Sequence, residues 1–182
     1  DYLDETFIKP GIASFEDFVG GSHCMTPGYL QNQLDQSLRN MNIESVDVYY
    51  IHNPESQLGH VSEDEFYYRI TLAFERLEQN RKQGKLGAYG IATWNGFRVG
   101  RESREYHSLS RMFEAARAVG GQAHGFRFIQ LPFNLAMPEA LTLVNQDVGN
   151  EQLTLLEAAK RLGVTVVASA SMLQGRVAQG LP

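Results

Sequence analysis

Four short apolar runs in this chain end in side chains that hydrogen-bond. "VDVYYIH" closes on His52 and leads into Asn53. "LGAYGIA" leads into Thr93, Trp94 and Asn95, "FRFIQL" carries Gln130, and "TVVAS" ends in Ser169, Ala170 and Ser171. An imidazole, a hydroxyl, a carboxamide and a second hydroxyl can hold and orient a polar, mostly neutral ligand. They are not the paired carboxylates of acid–base hydrolysis, nor the spaced thiols and imidazoles of a zinc cage. Any strand can end in polar residues because the chain is entering water. Four in succession, with His and Gln set directly against apolar residues, point to a site.

Such groups converge only if the runs lie side by side, and the stretches between them supply the reason. "TPGYLQNQLDQSLRNMN" starts with Thr26 as a helix cap and Pro27 in the first turn, and Leu30, Leu34, Leu38 and Met41 recur at helical spacing. "SEDEFYYRITLAFERLEQNRKQGK" opens on a Ser62–Glu65 capping box, lines up Phe66, Ile70, Phe74 and Leu77, and stops at Gly84. "SLSRMFEAARAVGG" and "NEQLTLLEAAKRLG" read as two further helices, the second with Leu153, Leu156, Ala159 and Leu162 on one face. Helices alternating with short Val-, Ile- and Phe-rich strands predict a parallel sheet covered by helices. The pattern suits about half of a (β/α)8 barrel, or most of a doubly wound sheet. Both architectures gather their sites at the carboxyl ends of the strands.

The chain has 182 residues, 43% hydrophobic and 20% charged, with a net charge of -5. This is ordinary globular composition for one domain, and it argues against nucleic acid or an anionic membrane as the main partner. Cys24 is the sole cysteine. It excludes an internal disulfide framework and suits a reducing, cytoplasmic setting. No apolar run approaches the length of about 20 residues that a membrane span needs. The first residues carry no basic-then-apolar signal peptide. There is no initiating Met, and the end falls just after an apparent strand and loop, so the chain is expected to be cut from a longer protein.

Taken in order, the motifs resemble the aldo-keto reductase family. "LDQSLRNMNIESVDVYYIHNPE" is similar to that family's leucine-rich helix and the strand that ends in its histidine. "LEQNRKQGKLGAYGIATWN" is similar to "L…GKI…GVSNF", "FIQLPFNL" to the strand with the family's glutamine, and "LLEAAKRLGVTVVASASMLQGRV" to "A…GI…AYSPLG…G". The order and spacing of four motifs make the match specific where one alone is weak.

The resemblance implies a partial (β/α)8 TIM barrel, about strands 4 to 7 with their helices, forming a single partial domain over residues 1–182. It implies NADP(H) as cofactor and reversible hydride transfer to a small-molecule aldehyde or ketone. His52 matches the family's substrate-orienting histidine, the catalytic residue carried by this chain. Thr93, Asn95, Gln130, Ser171, Leu173 and Gly175 fall at cofactor positions. Asn53 and Trp94 are candidates for substrate contact, although Trp94 could equally pack behind its loop. Ala92 stands where the family has Ser, Ala170 where it has the ring that stacks on the nicotinamide, and Met172 where it has Pro. The family's Tyr and Asp belong to earlier strands. Its Lys ends the third strand, and Lys9 is the candidate here, preceded only by Phe7 and Ile8. The expectation is that this Lys lies upstream and that residues 1–25 form an inserted loop that could wall the pocket. His23 and Cys24 sit in that loop without the spaced partners of a metal site. His60 falls in a loop, His107 before a helix and His124 before a strand, at the structural end of the sheet. Asp47, within a strand, needs a partner if buried. The alternative reading is a nucleotide-binding regulatory barrel of the same family with little catalysis. An unrelated barrel, such as a lyase, is a third. Substrate, NADPH-over-NADH preference and oligomeric state are not encoded legibly.

Overall fold

The computed structural model describes residues 2–175, and its elements follow the sequence pattern closely. Helix α1 (Pro27–Met41) precedes strand β1 (Val46–His52), α2 (Glu63–Lys82) precedes β2 (Leu86–Ala92), and α3 (Leu109–Gly120) precedes β3 (Phe126–Pro132). A short helix α4 (Glu139–Thr142) and two strands, β4 (Val144–Val148) and β5 (Glu151–Thr154), come before α5 (Leu155–Leu162) and β6 (Thr165–Ser169). The main sheet is parallel throughout, in the order β1-β2-β3-β6. Each new strand therefore adds to the same edge. With right-handed crossovers, that order puts every helix on one face of the sheet. A doubly wound sheet would reverse direction, so the architecture is the curved wall of a (β/α)8 barrel.

The core lies between sheet and helices. Ile51, Ile91 and Ile129 are paired across three strands, and all are at most 2% exposed. Leu34, Phe66, Phe74, Leu77 and Met112 cover them from α1, α2 and α3. Because neighbours alternate faces along a strand, the residues flanking this isoleucine layer point the other way, toward the barrel interior. Asp47 is exposed and needs no buried partner.

Three local expectations are corrected. The last helix is shorter than its sequence suggests: residues 151–154 pair antiparallel with β4 as a hairpin closed by Gly149 at φ +61°. The helix starts only where Thr154 and Glu157 form a reciprocal capping box. At α2 only half of the expected box forms. Ser62 Oγ accepts from Glu65 N–H at 3.2 Å, while the Glu65 carboxylate turns to Arg69. Thr26 occupies the cap position of α1, but its hydroxyl faces Cys24 Sγ at 3.4 Å and makes no capping bond.

The segment before α1 holds helical turns at Asp4–Ile8 and Phe15–Asp17 and a tight Val19–His23 bridge. It folds over its own apolar cluster of Phe7, Phe18 and Cys24, against Tyr29 of α1. Lys9 ends a helical turn and not a strand; it is exposed and pairs with Asp4 and Glu5.

Candidate active site

Strand register decides which side chains meet. His52, Ala92, Gln130 and Val167 are successive partners across the sheet, so they form one layer on the interior face. His52 and Gln130 stand two strand spacings apart, about 10 Å, with only the methyl group of Ala92 between them. Neither side chain bonds to any other group among the described residues. His52 is exposed and Gln130 half-buried. One imidazole and one carboxamide thus lie on one face of the sheet, their side chains without a partner among the described residues.

The turn after His52 holds this arrangement in place. Asn53 adopts the left-handed conformation (φ 45°) and its N–H donates to Ala92 O at 2.6 Å, which sends the chain sideways into the 3-10 turn Pro54–Gln57. Glu55 and Gln57 then reach in opposite directions. Glu55 is 7% exposed; its Oε1 accepts from Trp94 N–H at 2.7 Å and from Asn95 N–H at 3.2 Å. Its other oxygen lies 3.6 Å from Nε2 of the fully buried His107. Burial opposes the charge of Glu55, but His107 and the Thr93 hydroxyl outweigh it and hold the carboxyl at about 2. His107 is stacked on Phe66 and lies edge-on to Phe97. Its ring leaves no room beside Gly96, where an added Cβ would meet Cδ2 at 2.1 Å.

Gln57 is fully buried and points the other way, to the segment before α1. Its Nε2 donates to His23 Nδ1 at 2.9 Å, and its Oε1 accepts from Arg69 at 2.7 Å. His23 Nε2 in turn lies 2.9 Å from the main-chain oxygen of His52.

The hairpin β4–β5 braces the same loop from behind. Asn145 Nδ2 donates to Phe97 O and Val99 O, and Gln146 bonds His107 O and Leu109 N–H. A two-bond Arg98–Glu139 fork adds a clamp.

The remaining sequence candidates sit at the same rim but differ in how free they are. Thr93 is buried and its hydroxyl accepts from Gly96 N–H; Asn95 donates its amide to Glu105. Both side chains are engaged inside their loop. Trp94 is 38% exposed and Asn53 half-buried, each without a side-chain partner among the described residues. Ser171, Leu173 and Gly175 form a turn after β6 in which Leu173 and Gly175 have positive φ, and Asn134 ties it to the loop after β3 through Ala170 O at 2.9 Å. Arg176 and Val177 of that motif lie outside the described residues. His124 is buried at the amino end of β3 and His60 is exposed in its loop. No three His, Cys, Asp or Glu side chains come together for a metal among the described residues. No helix among them is long and apolar enough to cross a membrane.

Sequence reasoning missed Glu55, Gln57, Asn145 and Gln146. Only "HNPE" and "ESQ", polar residues directly after an apolar strand, hinted at the first two.

The sequence matches the model of the Aldo/keto reductase family over residues 18–180, and the chain belongs to that family. No curated protein sequence matches it. Among solved structures it is similar to the glycerol dehydrogenase AKR11B4 from Gluconobacter oxydans, with a TM-score of 0.58, 20% identity, and 87% of this chain against 36% of that one. It is also similar to the holo form of the aldo-keto reductase AKR11C1 from Bacillus halodurans, with a TM-score of 0.54, 15% identity, and 84% of this chain against 39% of the other. A putative 2,5-diketo-D-gluconic acid reductase B gives a TM-score of 0.54 at 20% identity, with 84% of this chain and 41% of that one covered. At these identities the likeness is one of fold. The chain spans about two fifths of the length of these proteins and corresponds to part of their barrel.

Proposed function

We propose that this chain supplies part of the active site of an NADP(H)-dependent aldo-keto reductase that interconverts an aldehyde or ketone with its alcohol. The observation that carries the reading is the shared layer of His52 and Gln130, both unspent and on one face of the sheet with Ala92 between them. A bound nicotinamide would supply or accept the hydride. Gln130 fits its carboxamide, donor to acceptor and acceptor to donor. His52 donates to the substrate carbonyl oxygen, aiming it and stabilising the charge that builds there. The exposed turn at Ser171, Leu173 and Gly175 is the candidate cradle for phosphate. Asn53 and Trp94 are the candidates for substrate contact. A cytoplasmic setting belongs to the same reading, because the free, buried thiol of Cys24 is suited to a reducing compartment.

The test is oxidation of NADPH by the full-length protein across a panel of aldehydes and ketones, wild type against His52→Ala. Turnover should fall by roughly 10²- to 10³-fold, the usual cost of one such donor, with NADPH affinity little changed. Undiminished turnover removes His52 from the reaction. One observation favours a second reading, the regulatory barrel: the Thr93 and Asn95 side chains are already engaged within their loop. NADPH binding with no turnover of any substrate would select it.

A further inference from the structure

We propose that His23 is a positioning residue for His52. It fixes the main-chain carbonyl of His52, and so the imidazole carried on the same residue, through a relay that starts at Arg69. The role rests on the reading of His52 given above.

The relay has a single possible proton arrangement. Arg69 can only donate. Its Nη1 lies 2.7 Å from Gln57, so the atom it meets there is the amide oxygen, and the orientation of the Gln57 carboxamide is set. The Gln57 amide nitrogen then faces His23 Nδ1 at 2.9 Å and donates to it, so Nδ1 carries no proton. The far ring nitrogen meets a carbonyl, which can only accept. Nε2 therefore holds the proton and donates to His52 O at 2.9 Å. The ring must be neutral and in the Nε2–H form for all of these bonds to exist together. Burial acts in the same direction, lowering the basicity of His23.

Both ends of the relay are fastened. Arg69 Nε is held by Glu65 at 2.8 Å on the preceding turn of α2. His23 stands on a tight turn in which Val19 and His23 exchange both main-chain bonds, at 2.9 and 3.0 Å. That turn is pinned in its turn by Phe18 against Tyr29. Gln57 also donates to His23 O at 3.3 Å, so the segment before α1 and the turn after β1 cannot shift separately. The segment before α1 is thereby tied to the strand end that carries the candidate catalytic residue. A wall that only shaped the pocket would need no bond to the His52 backbone.

The test uses the full-length protein. Imidazole 15N shifts of wild type near neutral pH should show His23 as the neutral Nε2–H form. An Nδ1–H ring or a charged ring overturns the relay whatever the kinetics show. In the reductase assay, His23→Leu should lower kcat by roughly 10- to 100-fold, the scale of a misplacement near 1 Å, with KM for NADPH unchanged. His23→Gln keeps an N–H donor for the same carbonyl and should restore most of the rate. Full activity in His23→Leu, alongside loss in His52→Ala, overturns the positioning role and leaves the reductase reading standing. Equal loss in the Leu and Gln variants also overturns it. Absence of NADPH turnover in wild type defeats the reductase reading and this role with it; undiminished turnover in His52→Ala removes His52 from the reaction, and with it this role, while the reductase reading stands.

Discussion

The turn Pro54–Gln57 fastens two neighbours in two different ways. On one side, the buried carboxylate of Glu55 holds the main chain of Trp94 and Asn95 next to His107. On the other, the neutral amide of Gln57 holds the neutral ring of His23. The first anchor uses a full charge against main-chain donors; the second meets His23 through dipoles, with the Arg69 guanidinium holding the far side of the Gln57 amide. A charged anchor is stronger and costs more when half of it is removed, whereas a dipolar anchor gives up less. The loop that carries Thr93, Trp94 and Asn95 is thus the more firmly held, and the brace from Asn145 and Gln146 adds to this. The segment before α1 is held by one relay and one aromatic cluster.

The comparison is broken most severely at Glu55. Glu55→Ala leaves two main-chain donors without their acceptor and removes the carboxylate that lies 3.6 Å from the buried His107, and should destabilise the protein by about 3 kcal/mol in urea unfolding. Gln57→Ala strands the His23 ring and Arg69, but Arg69 keeps Glu65. The expected loss is smaller, about 1–2 kcal/mol. Equal losses at the two positions would erase the distinction.

Acid separates the anchors without any substitution. Burial lowers the His23 value below its ordinary 6.5, against smaller opposing contributions from the bond to His52 O and the charge of Glu55. The unfolded chain therefore takes up the proton first. The contribution of His23 is fully present above 6.5 and is lost as pH falls toward the lowered folded value. Glu55 is depressed from 4.5 to about 2, so its contribution is complete above 4.5 and is lost only as pH falls through about 2. Between 6.5 and 4.5 the dipolar anchor alone should weaken. Trp94 is the sole tryptophan and its main chain sits on Glu55, so its fluorescence should stay constant in that window. Hydrogen-exchange protection of the His23 turn, taken relative to the intrinsic rate at each pH, should fall over the same range. A Trp94 shift in that window would show that the two anchors release together.

These anchors mark the boundary of what the sequence discloses. Helical spacing and apolar strands are local signals, and they located every strand of the main sheet with its helix. His52 and Gln130 were legible for a related reason, because each sits directly on an apolar run whose period fixes its face. The hairpin was not, because Leu153 and Leu156 continue a helical spacing across the point where Thr154 and Glu157 cap the helix. That Thr–x–x–Glu signal was present and was outweighed by periodicity. Glu55, Gln57 and His23 were illegible in a deeper sense. Apart from the Arg69 bond to Gln57, 12 residues on, their hydrogen-bond partners lie 29 to 40 residues away along the chain, and no local pattern registers such pairings. Segment 2–25 shows no period because its order comes from a private cluster and from Tyr29, outside the segment.

The direction of the bonds at His23 has one more consequence. A path that conducts protons needs members that can hand one on and take one back. This one begins at a guanidinium, which never gives its proton up at ordinary pH, and ends at a carbonyl, which has none to return. It transmits position and is an insulator for protons. Under the proposed reading, any proton consumed or released at His52 travels by a path other than this relay.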